Sequence, residues 1–359
     1  MSEEDSDRSS MVKRYAGIAG AAVGVIAAGA AVAVLAERKA IARRRAAAPE
    51  PLGSVRGDAR PVVADDGLEL YAELDEATSA DPDTRAPTIV FIHGYALTHD
   101  CWHFQRLALR GQHRMVYYDQ RSHGRSARSR SEHCTFDQLG RDLAAVIEQV
   151  VGDGPVVLIG HSMGGMTIMA LAEQHADWFR DRVVGVGLMS TSAGGLEAST
   201  LGLPGLPGRL VRRLSPAVMA TLARAPNLIE RSRRVGSDLG FVVTRRLAFG
   251  TPVPTEYVDF TDEMLAATPI DVVADFFPGF DTHDRYHALD VIARVATMVL
   301  AGARDQITPV SHSREIARRM PAAEYVELAE AGHMVLLEFH DDVTEAVERL
   351  VVRARSQHE

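Results

Sequence analysis

The sequence predicts an α/β protein: a mostly parallel central sheet flanked by helices, with a helical cap inserted after the sixth strand and an N-terminal transmembrane helix. Three observations predict it. Short continuous apolar runs, such as Thr88-Ile89-Val90-Phe91-Ile92 and Val156-Val157-Leu158-Ile159, alternate with stretches of helical spacing. Such runs suit strands buried on both faces. Between Met189 and Met298 the alternation stops, and residues 193–285 read as helices and loops. Finally, Tyr15 to Ala36 contains no charged side chain.

Taken in order, residues 1–14 form a polar tail and 15–36 the apolar segment. At 1.5 Å rise per residue that segment would be roughly 33 Å long as a helix, enough to cross a bilayer core. Glu37, Arg38 and Lys39 follow at once, then Arg43, Arg44 and Arg45. A charged flank favours an uncleaved anchor over a signal peptide ending at Val34-Leu35-Ala36, which would make the protein secreted or exported. More Arg and Lys lie after the segment than before it, which puts the domain that follows in the cytoplasm. Residues 37–60 read as a basic, proline-containing linker.

The folded domain is expected from residue 61. Val62-Val63-Ala64 and Leu68 to Leu74 flank Asp65-Asp66-Gly67, an Asp-Gly hairpin signal. Strands follow at Thr88–Ile92, Met115–Tyr118, Val156–Ile159, Val183–Met189, Met298–Ala301 and Tyr325–Leu328. Leu139, Leu143, Val146, Ile147 and Val150 space a helix capped by Thr135. A helix from about Asp342 to Val352 closes the chain. The domain is thus divided as core 61–192, cap 193–285 and core 286–359.

Composition narrows the class. The 359 residues are 46% hydrophobic and carry a formal net charge of −9, so a core is affordable and a basic face for nucleic acid is not expected. The two cysteines, Cys101 and Cys134, form neither a disulfide framework nor a metal spacing. No metal or cofactor is expected.

The third of the buried strands ends in Gly160-His161-Ser162-Met163-Gly164-Gly165, before a helical run. In a G-x-S-x-G turn the glycines let a strand bend sharply into a helix around an exposed serine hydroxyl, and the helix N-terminus favours developing negative charge. A serine needs a base and an orienting acid. Asp305 follows the strand Met298–Ala301, and His333 follows Tyr325–Leu328, so both fall on the sheet edge that carries Ser162. Phe91-Ile92-His93-Gly94-Tyr95 ends another strand there. The backbone N–H groups of Tyr95 and Met163 are the candidate oxyanion hole. His93 is read as a loop-holding residue rather than a second base.

These motifs resemble the α/β-hydrolase superfamily over about residues 61–353. GHSMGG and HGY are similar to monoglyceride lipases, carboxylesterases and haloperoxidase-like esterases. The apolar N-terminus with Trp102-His103-Phe104-Gln105 resembles membrane-anchored actinobacterial hydrolases. The resemblance implies a Ser162–Asp305–His333 triad and a structural role for Asp119 in the turn Asp119-Gln120-Arg121-Ser122-His123-Gly124, where Ser122 stands at a usual glycine. It implies a small-molecule or lipid ester substrate and no cofactor. C–C bond or thioester hydrolysis would use the same residues, and a non-catalytic ligand-binding homologue is the reading from another class.

The cap divides by charge: nine arginines lie between Arg209 and Arg246, and eight acids with no arginine between Glu256 and Asp284. Solvated helix faces would account for this. So would an arginine-rich half turned toward anionic lipid beside the anchor.

Overall fold

A computed structural model of the chain describes residues 50–78, 86–196 and 237–358. Eight strands form one sheet: β1 (Asp58–Val63), β2 (Glu69–Asp75), β3 (Thr88–Ile92), β4 (Met115–Tyr118), β5 (Val156–His161), β6 (Val183–Met189), β7 (Ala296–Gly302) and β8 (Glu324–Leu328). Their spatial order is β1-β2-β4-β3-β5-β6-β7-β8. β2 runs antiparallel to both of its neighbours, and every other pairing is parallel.

The continuous apolar strands follow from burial on both faces. Ile89 and Phe91 of β3 join one core cluster, whereas Val90 and Ile92 join another across the sheet. β4 and β5 divide likewise, through Tyr117 and Ile159 on the first face and Tyr118 and Leu158 on the second. Helices α1 (His103–Leu109) and the chain-closing helix His340–His358 cover the first face, the latter with Val343, Val347, Leu350 and Ala354. Helices α2 (Phe136–Val146) and α3 (Met163–Gln174) cover the second with Leu143, Ile168 and Leu171. Thr135 caps α2, its hydroxyl accepting from Gln138 N at 3.2 Å. Successive side chains of a strand point to opposite faces, and because both faces are packed the residues of each central strand divide between the two clusters.

Several boundaries differ from expectation, those of the first strand and the closing helix among them. β1 begins at Asp58, inside the stretch read as linker 37–60, and Val55 is already buried. The first four side chains of β1, Asp58 to Pro61, face solvent, so this part of the strand carries no apolar run and is held by its pairing with β2. The closing helix starts at His340, two residues before the expected Asp342.

Between β6 and β7 the described residues form three helices, Ser237–Ala248, Thr255–Ala267 and Ile270–Asp281, and a short one at Ala288–Ile292. The segment is pinched at its base, where Gly194 bridges Asp284 and Arg285 N donates to Ala193 O at 2.7 Å. The apolar run 15–36 and the arginines Arg209 to Arg234 lie outside the described residues. Among those described, no helix is long and apolar enough to cross a membrane.

Candidate active site

Ser162 sits between β5 and α3 with φ 52° and ψ −118°, a backbone conformation that L side chains rarely adopt. The neighbouring glycines make the turn possible. A Cβ on Gly160 would stand 2.5 Å from the Gly164 carbonyl carbon, and one on Gly165 would stand 2.6 Å from the Thr191 hydroxyl oxygen. The turn is tied to the next strand: Ser162 N donates to Met189 O at 2.9 Å, and the Thr191 hydroxyl donates to Ser162 O at 2.7 Å. Strain of about 1–3 kcal/mol is expected at such a residue, and these bonds hold it in place.

The loops after β7 and β8 bring Asp305 and His333 together. His333 Nδ1 lies 2.8 Å from Asp305 Oδ2, and both residues are buried. Asp305 Oδ1 accepts the backbone N–H groups of Ile307 and Thr308 at 2.8 and 2.9 Å. A carboxylate with both oxygens engaged accepts from Nδ1–H, which leaves Nε2 of His333 as the ring's basic nitrogen.

The loop after β3 presses on the serine. A Cβ on Gly94 would be 3.2 Å from Ser162 Cβ and 2.8 Å from His161 Nδ1. Tyr95 follows, and its phenol donates to Val273 O of the cap helix Ile270–Asp281. Burial raises the Tyr95 pKa well above the ordinary phenol range. Met163 opens α3, so its backbone N–H has no acceptor within the helix. The predicted residues Tyr95, Ser162, Met163, Asp305 and His333 therefore all lie at the carboxyl edge of the parallel strands, where open α/β sheets bind ligands.

The sequence pattern described as alpha/beta hydrolase fold matches residues 87–339. The chain belongs to the α/β-hydrolase family. It is 27% identical over 260 residues to the dihydrolipoyllysine-residue acetyltransferase component of the acetoin cleaving system of Pseudomonas putida, covering 72% of this chain and 61% of that one. It is 26% identical to the sn-1-specific diacylglycerol lipase of Mus musculus, over 74% of this chain and 81% of that protein. An esterase structure from a Rhodococcus species superposes with a TM-score of 0.65 at 21% identity, covering 82% of this chain and 98% of that one. The last likeness shows the fold.

Several residues of this α/β hydrolase support the site without a motif to announce them. The Thr308 hydroxyl lies 2.9 Å from Asp305 Oδ2 and 2.8 Å from Ser190 O, and its one proton serves either acceptor. His161 donates Nε2–H to the carbonyl of His333 at 3.0 Å, and its ring packs against the His333 ring at 4.8 Å between centroids. Burial holds the His161 pKa well below the imidazole range, so this histidine is neutral. Only its place inside the G-x-S-x-G turn hinted at such a role.

His93 is saturated. Gln120 N donates to its Nε2 at 2.9 Å, so Nδ1 carries the proton and donates to Gly94 O at 2.7 Å. Burial lowers its pKa to about 3. Asp119 accepts from His99 N, His99 Nδ1 and Arg125 N at 2.8, 2.9 and 2.8 Å. Burial would raise its pKa, but the His99 hydrogen bond outweighs that and holds it at about 2. Its bonds stabilise the turn that ends at Gly124. There Ser122 takes φ 65°, and its hydroxyl accepts from Ser129 N at 2.9 Å. Among the described residues no group of His, Cys, Asp or Glu side chains could hold a metal ion, and both cysteines are free and buried.

The end of helix Ser237–Ala248 and the segment after it touch both the loop that carries Asp305 and the loop that carries His333. Gln306 Nε2 donates to Arg246 O at 3.0 Å, and Arg304 Nη1 donates to Gly250 O at 3.1 Å. Met334 N donates to Ala248 O at 2.8 Å. Glu338 accepts from Gly250 N at 3.1 Å, from Gly332 N at 2.7 Å, and from the backbone N–H and hydroxyl of Thr251.

Proposed function

We propose that the chain is a serine ester hydrolase acting through an acyl-enzyme. Ser162 Oγ attacks the ester carbonyl while its proton passes to His333 Nε2. The backbone N–H groups of Tyr95 and Met163 receive the negative charge of the tetrahedral intermediate. His333 then protonates the departing alcohol, and water, deprotonated by the same nitrogen, releases the acid. Asp305 holds His333 in the tautomer that keeps Nε2 basic and stabilises the imidazolium. The observation that carries the reading is the Asp305–His333 hydrogen bond of 2.8 Å on the sheet edge where Ser162 takes its positive φ.

An apolar acyl group suits the surroundings. Met163 and Met166 cluster with Phe136, Val272 and Phe276, and Tyr95 and Phe280 pack against them. The diacylglycerol lipase named above acts on a lipid ester. The apolar run 15–36 fits a membrane anchor with the catalytic domain in the cytoplasm, which would hold such a site beside its substrate. A p-nitrophenyl ester series tests the acyl preference: turnover rising from acetate to butyrate and octanoate is expected, and acetate as the best substrate would reject a lipophilic one. A cysteine placed before residue 15 and protected from impermeant maleimide in whole cells would contradict the orientation.

A further inference from the structure

We infer that Glu338 is a positioning residue that makes the placement of His333 depend on the cap. The inference rests on the reading of His333 as the base. Glu338 lies on the short helix Val335–Glu338, five residues after His333. Its carboxylate meets four donors. Oε1 takes the backbone N–H and the hydroxyl of Thr251, and Oε2 takes Gly250 N–H at 3.1 Å and Gly332 N–H at 2.7 Å. A group surrounded by donors has to be an acceptor on both atoms, which a carboxylate is and an amide is not.

Three of those donors belong to the cap and one to the residue preceding His333. On the other side of His333, Met334 N–H is bound to Ala248 O of the same cap segment at 2.8 Å. The contact between the two backbones is direct: a Cβ on Gly332 would stand 2.5 Å from Gly250 N and 2.8 Å from Ala248 O. The His333 carbonyl is held by His161 at 3.0 Å. The base thus hangs on a loop gripped by the cap before and after it and by the nucleophile turn at its own carbonyl. A displacement of residues 248–251 carries His333 relative to Ser162, whereas it leaves the oxyanion loop, bound to the cap through Tyr95 and Val273, on a separate attachment.

The test is Glu338→Gln in the full-length protein, assayed on p-nitrophenyl butyrate with melting temperature and fluorophosphonate labelling of Ser162 alongside. A misplaced base lowers kcat roughly 10- to 100-fold and leaves KM within about twofold. In a His333→Ala background the same substitution costs less than about twofold, because the group it positions is gone. Thr251→Val, which removes only the cap hydroxyl, gives a smaller loss in kcat, and the two variants combine to less than the product of their effects. Should Glu338→Gln fail to fold, Thr251→Val with and without His333→Ala carries the same comparison. Equal losses in both backgrounds, or kcat within about twofold of wild type, overturn the proposal. Wild-type protein that neither turns over ester nor labels at Ser162 defeats the reading of His333 instead, and this proposal with it.

Discussion

Gly94→Ala probes the proposed oxyanion loop with a single methyl group. The added Cβ would stand 2.8 Å from His161 Nδ1 and 3.2 Å from Ser162 Cβ. Carbon and nitrogen rest at about 3.5 Å, so one side must retreat by roughly 0.7 Å. His161 cannot easily do so, since its Nε2–H is bonded to His333 O and its ring is packed between His333 and Trp102. The yielding element is the loop that carries Tyr95. An oxyanion donor works at about 2.7–3.1 Å, so a retreat of this size removes most of its effect, which corresponds to roughly 10²–10³ in kcat. Overpacking would also cost about 1–3 kcal/mol of stability. Steady-state kinetics on p-nitrophenyl butyrate at a temperature where the variant is fully folded measures the outcome. The expected result is a fall in kcat of about 100-fold with little change in KM. A folded variant with kcat within about fivefold of wild type would refute the placement of Tyr95 N–H in the oxyanion hole.

Two other predictions follow from the same geometry. Asp305→Asn keeps the shape of the acid but puts an amide opposite His333 Nδ1, favouring the wrong tautomer; kcat should fall by about 10³–10⁴ with the fold intact by circular dichroism, and a loss under about tenfold would count against Asp305 as the orienting acid. The buried His99 makes stability depend on pH. Burial alone would lower its pKa, but the hydrogen bond to Asp119 and the nearby Glu73 carboxylate, 3.4 Å from Nε2, raise it to about 9. A raised histidine contributes fully below about pH 6.5 and loses its contribution as pH climbs through about 9. Urea unfolding should therefore show a fall of up to about 3 kcal/mol between pH 6.5 and 9.5 that His99→Gln flattens; an unchanged slope in the variant would assign the dependence elsewhere.

Much of the fold was legible because its signals are local. β3, β5, β6 and β7 are buried on both faces, so their sequences are nearly continuous apolar runs, and the sheet edge that bears Ser162, Asp305 and His333 follows from where those runs stop. The G-x-S-x-G glycines were readable as a motif, and each stands where a Cβ would overlap backbone, Gly160 against Gly164 within the turn and Gly164 against Ile92 at the end of β3. β1 was legible only in part, since Asp58, Ala59 and Arg60 face solvent and carry no pattern apart from their pairing with Leu74, Glu73 and Ala72. Glu338, Thr308 and His161 escaped as supporting residues for a different reason. Each acts on a partner brought close by tertiary folding: Glu338 on Gly250, 88 positions away, and His161 on His333, 172 away. Nothing in the spacing of one sequence records such a pairing. Ser122 shows the same limit, as its φ of 65° is compensated by a bond from Ser129 N that the sequence does not announce.

The central claim is that Ser162 is the nucleophile of an ester hydrolase. Its most direct test is a fluorophosphonate probe on the full-length protein, followed by mass spectrometry of the labelled peptide. The proposed mechanism predicts one adduct on Ser162, abolished in Ser162→Ala and slowed in His333→Ala. Wild-type protein that stays unlabelled, or an adduct that persists in Ser162→Ala, would contradict it.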